Sequence, residues 1–306
     1  MLFAPPPVVA TTPFARLPDA FRRSGRDTEW HRGQPGNHPE PSLLEGPAFD
    51  RDGTLWCVDI PYGRIFRVSP QGEFELAAEY DGEPNGLAIH RDGRIFIADY
   101  AHGIMVLDPA TRKVEPFVTR VRLERLKAVN DLVFASNGDL YFTDQGLTGL
   151  HDATGRVFRV RAGGQVDLLL GNVPSPNGIA LSPDESMLYV AVTRANAVWR
   201  VPLMRDGGVA KVGNFIQLSG GGGPDGLAVD REGNLAVAHI GLGCVWLFSR
   251  RGEPMARIQS CAGDHTTNMA YGGSDGTTLF ITESETGTLL NAAMPVPGLP
   301  LFSHAP

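Results

Sequence analysis

The stretch SPNGIALSPD at residues 175–184 decides the fold, because its pattern returns along the whole chain. A proline, an asparagine and a glycine precede a short apolar run, and a polar turn and a second apolar run follow. Two apolar runs separated by such a turn are typical of a β-hairpin. Asn177 therefore stands at the start of the first strand of a hairpin.

Six copies of this pattern cover most of the chain. In order they read EGPAFDRDGTLWCVD, PNGLAIHRDGRIFIAD, VNDLVFASNGDLYFTD, PNGIALSPDESMLYVAV, PDGLAVDREGNLAVAH and TTNMAYGGSDGTTLFITE. Successive copies begin 40 to 48 residues apart, and a third and a fourth apolar run follow most of the hairpins. Four strands repeated at this period are typical of the blades of a propeller. We predict an all-β, six-bladed β-propeller forming a single domain over residues 1–306, with an open array of β-sandwich units as the alternative.

The last copy is too short to supply four strands by itself, because it is followed by an irregular tail at residues 297–306. We predict that the N-terminal stretch VVATTPFARLP completes the last blade. Pairing the two ends of the chain in this way closes the ring and removes an exposed sheet edge.

Composition restricts the classes of function. The chain has 306 residues and a net charge of −7, which gives no basic surface for a nucleic acid. No apolar run approaches the roughly 18 residues that a membrane span needs. The N-terminal MLFAPPPVVATTPF lacks a basic region and contains several prolines, so we expect no secretory signal. The three cysteines, Cys57, Cys244 and Cys261, are too few and too scattered for a disulfide framework or a zinc cluster. We expect reduced thiols in a cytoplasmic protein.

One polar residue opens each copy, and the innermost strand of a propeller blade lines the central channel. The aligned residues are Glu45, Asn85, Asn130, Asn177, Asp225 and Asn268. Asn and Asp often satisfy turn amides, which would account for Asn85 and Asn268. Two uncompensated carboxylates in one narrow channel would repel each other and would be costly to bury. Carboxylate and carboxamide oxygens favour a hard divalent cation, so we predict a bound calcium ion or, as the second choice, magnesium.

At this point the sequence resembles a known family. The motifs LLEGPAFD, VDIPYGRIFRV, VNDLVF, PNGIALSPDESMLYVA and PDGLAVDREGNLAVA occur in order between about residues 43 and 290. They resemble the senescence marker protein/gluconolactonase family, which includes regucalcin and bacterial lactonases. The resemblance implies a six-bladed propeller that holds one divalent metal ion through Glu45, Asn177 and Asp225. It implies that Asn130 is either a further metal ligand or a substrate-binding residue.

The resemblance leaves the metal and the substrate open. Ca²⁺ is favoured, with Mg²⁺, Mn²⁺ or Zn²⁺ as alternatives. Sugar-lactone members of the family often carry an arginine two residues before the position of Asn130, whereas this chain has Ala128 there, next to Lys127. Sugar, aliphatic and aromatic lactones therefore all remain candidates.

Further candidates lie around the predicted metal ring. The second strand of each hairpin returns to the same face, and the polar residues at these strand ends are Asp59, Asp99, Asp144, His239 and Glu283. They either orient the metal ligands or simply satisfy turns, and a neutral His239 could transfer a proton. The loops that follow supply the candidate substrate contacts Tyr62, Tyr100, His102, Gln145, His151 and Arg194. The polar segment at residues 22–42 should lie on this face as a lid or as a surface loop.

Together with the family resemblance, these residues predict a metal-dependent hydrolase that opens a lactone, which is a small-molecule substrate. The cation polarises the carbonyl group and water attacks it. Asp225 is the first candidate for the base, His239 is the second, and Asn130 holds the substrate. The substrate-binding set is Asn130, Tyr100, Gln145 and Arg194, and the metal set is Glu45, Asn130, Asn177 and Asp225. The alternatives are a non-catalytic calcium-binding propeller, or metal-dependent phosphotriester hydrolysis or a lyase or isomerase reaction.

Overall fold

Each repeat folds into an antiparallel sheet in the computed structural model of the protein, which describes residues 4–34 and 42–304. Two strands and one helix precede the first complete blade: β1 (Val8–Ala10), β2 (Thr12–Arg16) and α1 (Glu29–Gly33). The first blade comprises β3 (Leu44–Phe49), β4 (Leu55–Asp59), β5 (Arg64–Val68) and β6 (Phe74–Glu79). The second comprises β7 (Pro84–Ile89), β8 (Ile95–Asp99), β9 (Gly103–Asp108) and β10 (Lys113–Val118).

A small hairpin, β11 (Arg120–Val121) and β12 (Glu124–Arg125), leads into the third blade. That blade comprises β13 (Val129–Phe134), β14 (Leu140–Asp144), β15 (Gly155–Val160) and β16 (Val166–Val173). The fourth comprises β17 (Pro176–Leu181), β18 (Met187–Val192), β19 (Ala197–Pro202) and β20 (Gly213–Gln217).

The fifth blade comprises β21 (Gly223–Val229), β22 (Leu235–Ile240), β23 (Cys244–Phe248) and β24 (Pro254–Gln259). The sixth comprises β25 (Thr266–Gly272), β26 (Thr278–Glu283) and β27 (Thr288–Ala293). Short 3-10 turns lie at Ile60–Tyr62, Thr193–Ala195 and Phe302–His304. None of the helices in the described part of the chain has the length and apolar character needed to cross a membrane.

Tight turns set the hairpins of the repeats. In the first blade, Oδ1 of Asp50 accepts hydrogen bonds from the backbone N–H groups of Asp52 and Thr54, both at 3.0 Å. Gly53 in the same turn has a φ of 77°, a left-handed conformation that glycine adopts without steric cost. The RDG and related turns found in the sequence therefore fix the strand pairing locally.

The six blades form a closed ring. The innermost strand of each blade packs against the innermost strands of the two neighbouring blades. These innermost strands are β3, β7, β13, β17, β21 and β25. The hydrophobic core lies between adjacent blades, as where Val58 and Ile65 of the first blade pack with Leu87 and Ile97 of the second. The prediction of a six-bladed propeller is confirmed.

The N-terminal segment closes the ring, as predicted. β2 pairs antiparallel with β27, with Thr12 opposite Asn291 and Arg16 opposite Thr288, so it is the outer strand of the sixth blade. The structure adds a contact that the sequence did not reveal. β1 pairs in parallel with β24 and becomes a fifth strand of the fifth blade, so this segment links two neighbouring blades.

Two segments outside the repeats cover the ends of the channel. α1 packs on the 3-10 turn at Ile60–Tyr62, and the backbone N–H of Trp30 donates to Glu83 at 3.1 Å. Residues 22–34 of the segment predicted as a lid or a surface loop thus lie on the predicted face. Residues 35–41 of that segment lie outside the described residues. The described part of the predicted tail packs at the other end, where Phe302 stacks on Phe134.

Candidate active site at one end of the channel

Six polar residues at one register, one from each innermost strand, face a cavity of about 520 Å³. We call them the polar ring: Glu45, Asn85, Asn130, Asn177, Asp225 and Thr267. Five of these six residues are the ones that the repeats align. The six equivalent strand starts thus converge on one axis and present side-chain oxygens to one cavity.

The sixth member corrects the sequence alignment. We expected Asn268 in the ring, but in the sixth blade Thr266 pairs with Glu283 and Asn268 pairs with Thr282. In the second blade, Pro84 pairs with Asp99 and Gly86 with Ala98, so Asn268 is equivalent to Gly86 and Thr267 is equivalent to Asn85. Asn268 therefore lies one residue farther along the channel than predicted.

The residues that directly follow the ring residues in the six innermost strands form a second layer behind the ring. Four blades have glycine in this layer, and the other two have Asp131 and Asn268. There is no room for larger side chains on the four glycines: a Cβ on Gly86 would lie 2.6 Å from Oδ1 of Asp131, and one on Gly226 would lie 2.1 Å from Oδ1 of Asn268. The side chains of Asp131 and Asn268 therefore fill the axis of the channel behind the ring.

Hydrogen bonds connect the two layers and the cavity wall. Nδ2 of Asn268 donates to Oε2 of Glu45 at 2.9 Å. In the ring, Nδ2 of Asn130 donates to Oε1 of Gln145 at 3.2 Å, and Nε2 of Gln145 donates to the hydroxyl of Ser175 at 2.9 Å. These two consecutive hydrogen bonds fix the orientation of the Asn130 carboxamide.

Three buried carboxyl groups at the axis influence one another's pKa: Glu45 and Asp225 in the ring and Asp131 behind it. Burial raises the pKa of Glu45 well above its usual range, and the neighbouring Asp225 and Asp131 raise it further. Burial raises the pKa of Asp131 to about 7. Burial, followed by the charge of Asp131, raises the pKa of Asp225 to about 7, although a hydrogen bond from Asn177 and the charge of Arg194 act in the opposite direction.

This arrangement fits a divalent cation. Among the described residues, no Lys, Arg or His forms an ion pair with Glu45, Asp131 or Asp225. Buried carboxylates without a cationic partner are strongly unfavourable, and a metal ion removes this cost. The donors are carboxylate and carboxamide oxygens, which are the ligands that calcium prefers. Within the described ranges, no group of three or more His, Cys, Asp or Glu side chains is gathered to hold a metal. The predicted ligand set has only two carboxylates, and its other donors are the carboxamides of Asn130 and Asn177.

Three of the four acidic residues at the strand ends hold the backbone before a ring residue, whereas Glu283 accepts the N–H groups of Glu285 and Thr286 in the loop that follows it. The carboxylates of Asp59, Asp99 and Asp144 accept the backbone N–H of Leu43 (2.8 Å), Glu83 (3.0 Å) and Ala128 (2.9 Å), respectively. Each of these N–H groups belongs to the residue two positions before a ring residue. The strand-end carboxylates do not line the cavity. They hold the backbone that enters the innermost strand, and so they set the position of the ring.

His239, the second candidate for the base, is fully buried and does not line the cavity. Its Nε2 contacts the carbonyl oxygen of Gly220 at 2.9 Å, and its Nδ1 accepts the indole N–H of Trp246 at 3.2 Å. Burial lowers the pKa of His239, which favours the neutral ring. Both imidazole nitrogens are thus engaged by other protein groups, one in the preceding loop and one in the adjacent strand.

The predicted substrate contacts divide into two groups. Tyr100, Gln145, His151 and Arg194 line the cavity. Tyr62 and His102 do not: Tyr62 is buried, and Nε2 of His102 contacts the carbonyl oxygen of Asp81 at 2.6 Å.

Several residues of the site were not predicted from the sequence. Thr267 completes the ring, His265 lines the cavity beside it, and Trp30 lines the cavity from α1. Asp131 lies behind the ring. The signal for Asp131 was present, since its repeat has a carboxylate directly after the ring residue where four of the repeats have glycine.

Comparison with known proteins agrees with the fold. Residues 43–285 match the family model described as the SMP-30/Gluconolactonase/LRE-like region. The chain belongs to this family. A relative from Staphylococcus epidermidis named lactonase drp35 is 34% identical over 228 residues, which cover 70% of this chain and 69% of the relative. A gluconolactonase from Zymomonas mobilis is 32% identical over 272 residues, which cover 78% of this chain and 76% of that protein.

A solved structure shows the same architecture. The calcium-binding protein regucalcin from Agrobacterium tumefaciens superposes with a TM-score of 0.76 and 26% sequence identity, covering 97% of this chain and 99% of that one. The family resemblance seen in the sequence motifs is therefore confirmed.

Proposed function

We propose that the protein is a lactonase whose polar ring holds one divalent cation, preferably Ca²⁺. Its family membership makes it a lactonase-type hydrolase. The observation that supports the metal dependence is the burial of two carboxyl groups in the ring, those of Glu45 and Asp225, which form no ion pair among the described residues. Glu45 and Asp225 belong to the ring together with the carboxamides of Asn130 and Asn177, and these four residues are the proposed metal ligands.

The cation would polarise the lactone carbonyl group and stabilise the negative charge that develops on its oxygen. The residues of the chain then have separate tasks. Asp225 accepts a proton from the attacking water as the oxygen of that water bonds to the carbonyl carbon. The bond between the carbonyl carbon and the ester oxygen of the lactone then breaks. The leaving oxygen takes up the proton, which gives a hydroxy acid. Asp225 is favoured as the base over His239, because its carboxylate faces the cavity whereas both nitrogens of His239 are engaged.

The proposed substrate contacts are Asn130, Gln145, Tyr100 and Arg194. Asn130 is held by Gln145, so its carboxamide can orient the substrate without a large loss of side-chain entropy. Arg194 is exposed at the cavity and makes no ion pair among the described residues. Its guanidinium can therefore neutralise the carboxylate that hydrolysis produces.

One observation supports a second candidate function, a calcium-binding protein without turnover. The superposing regucalcin is described only as calcium-binding. In that case the ring would bind calcium with the same ligands, and the cavity would have no catalytic role.

Lactone hydrolysis at saturating calcium, measured for wild type and Asn130→Ala, separates the two functions. For a lactonase we expect turnover by the wild type and a loss of roughly 10²-fold in Asn130→Ala, the scale of one lost polar contact to the reacting group. Calcium binding without hydrolysis of any lactone in a panel of sugar, aliphatic and aromatic substrates would support the second function and would contradict the first.

A further inference from the structure

One wall of the cavity is apolar and comes from three separate segments. Trp30 belongs to α1, Tyr100 follows β8, and Leu147 lies in the long loop after β14, and all three line the cavity. Trp30 is part of a hydrophobic cluster that includes Leu43 and Ile60, and Tyr100 packs against that cluster. We call Trp30, Tyr100 and Leu147 the apolar wall.

The wall is held in place by contacts of α1. Thr28 caps the helix by accepting the N–H of His31 at 3.2 Å, and the N–H of Trp30 donates to Glu83 at 3.1 Å. At the other end of the helix, a Cβ on Gly33 would lie 2.7 Å from the hydroxyl oxygen of Tyr100 and 2.8 Å from Cδ2 of Leu147. The backbone at Gly33 therefore contacts both side chains and joins the three parts of the wall.

Leu147 is the part of the apolar wall that a ligand can cover. Leu147 is 67% exposed although it lines the cavity, so an apolar group placed beside it would remove this surface from water. Leu150 is 73% exposed on the same loop and is not one of the residues that line the cavity. This pair offers a test residue and a matched control.

The chemistry of the wall discriminates between substituents on a lactone ring. Burial of an alkyl or aryl group against these apolar side chains removes its surface from water and so strengthens binding. A polyhydroxylated substituent would lose water from hydroxyl groups that find few partners on this wall, since Tyr100 supplies its only side-chain hydroxyl. The wall therefore favours apolar substituents over sugar-like ones.

We infer that the substrate is a lactone whose ring carries an alkyl or aryl substituent lying against Trp30, Tyr100 and Leu147. This inference rests on the proposed lactonase function. The carbonyl group of such a substrate faces the polar ring while its substituent extends along α1. Burial of one methylene group corresponds to a gain of about fourfold in kcat/KM, so chain length should be visible in the kinetics.

The test compares γ-butyrolactone, γ-valerolactone, γ-heptalactone, γ-nonalactone and D-glucono-δ-lactone at saturating calcium. For the wild type we expect kcat/KM to rise along the alkyl series and to be lowest for the sugar lactone. Leu147→Ser should lose about tenfold on γ-nonalactone and less than about twofold on γ-butyrolactone. Leu150→Ser should behave like the wild type. A preference for D-glucono-δ-lactone, or an equal loss on all substrates in Leu147→Ser, would overturn the inference.

A binding measurement separates failure of this inference from failure of the proposed function. Calorimetry with 2-pyrrolidinone and its 5-alkyl derivatives, which resist hydrolysis, reports on the wall without turnover. Affinity that rises with chain length in the wild type and rises less steeply in Leu147→Ser supports the wall even if no lactone is hydrolysed. Turnover of lactones together with lactam affinity independent of chain length overturns the inference alone.

Discussion

Replacing Asp131 with asparagine should stabilise the protein when no divalent cation is present. The carboxyl group is buried at the channel axis, and burial raises its pKa from 3.8 to about 7. Because the native state holds this proton more tightly than the unfolded state, the group favours folding at low pH. That stability is lost as the pH rises from about 4 to about 7.

The size of the effect follows from the pKa shift and the hydrogen bonds. At pH 8 the unfavourable charge amounts to about 4 kcal/mol, since each unit of pKa shift corresponds to about 1.4 kcal/mol. The carboxamide of the variant would keep one acceptor for the N–H of Leu132 (2.8 Å), but its amide nitrogen would face the N–H of Ile179, which now donates at 3.4 Å. This mismatch costs about 1–3 kcal/mol. The net expected gain for Asp131→Asn is therefore about 1–3 kcal/mol at pH 8.

Urea unfolding monitored by tryptophan fluorescence, in chelator at pH 8 and at pH 4.5, measures this gain. The variant should be more stable than the wild type at pH 8, and the difference should vanish or reverse at pH 4.5. Asp144→Asn is the control, because Asp144 is also buried but pairs with Arg156 at 2.6 Å, so this variant should lose stability at pH 8. A variant Asp131→Asn that is no more stable than the wild type at pH 8 in chelator would show that the buried carboxyl group does not destabilise the native state.

Three further predictions concern the ring, the closure of the propeller and the buried imidazole. Glu45→Gln and Asp225→Ala should each weaken calcium binding in titration calorimetry, and wild-type affinity in both would contradict the ligand set. Deleting residues 1–20 should lower the melting temperature strongly, because it removes both N-terminal strands and exposes the edges of two blades; an unchanged melting temperature would show that closure does not depend on them. His239→Ala should leave calcium affinity and the shape of the pH profile for hydrolysis unchanged, since both of its nitrogens are engaged; loss of one limb of that profile would make His239 a proton carrier.

The fold could be predicted from the sequence because its signals are local. Each hairpin carries its own turn, such as the one around Gly53, and the repeats place these turns at a nearly constant period. That β2 completes the sixth blade could be predicted because the last repeat is too short to supply four strands. The pairing of β1 with β24 could not be predicted in this way, since a three-residue strand has no clear pattern and its parallel partner is distant in the chain.

The site could be predicted only in part. Five members of the polar ring follow from the repeat, but the two threonines before Asn268 allow an alignment that is shifted by one residue, and only the strand pairing resolves it. The environment of His239 depends on Trp246 of the adjacent strand and on Gly220 of the preceding loop. Contacts of this kind are set by packing across strands and leave no trace in the spacing of the repeats.

Metal removal followed by stepwise restoration tests the central claim most directly. Hydrolysis of a lactone panel would be measured before chelation, after chelation with the loss of metal verified by elemental analysis, and after adding Ca²⁺, Mg²⁺, Mn²⁺ or Zn²⁺ separately. We predict that turnover disappears with the metal and returns most fully with Ca²⁺ in the wild type, and that Glu45→Gln needs a higher calcium concentration for the same recovery. Undiminished hydrolysis by verified metal-free protein would contradict the account.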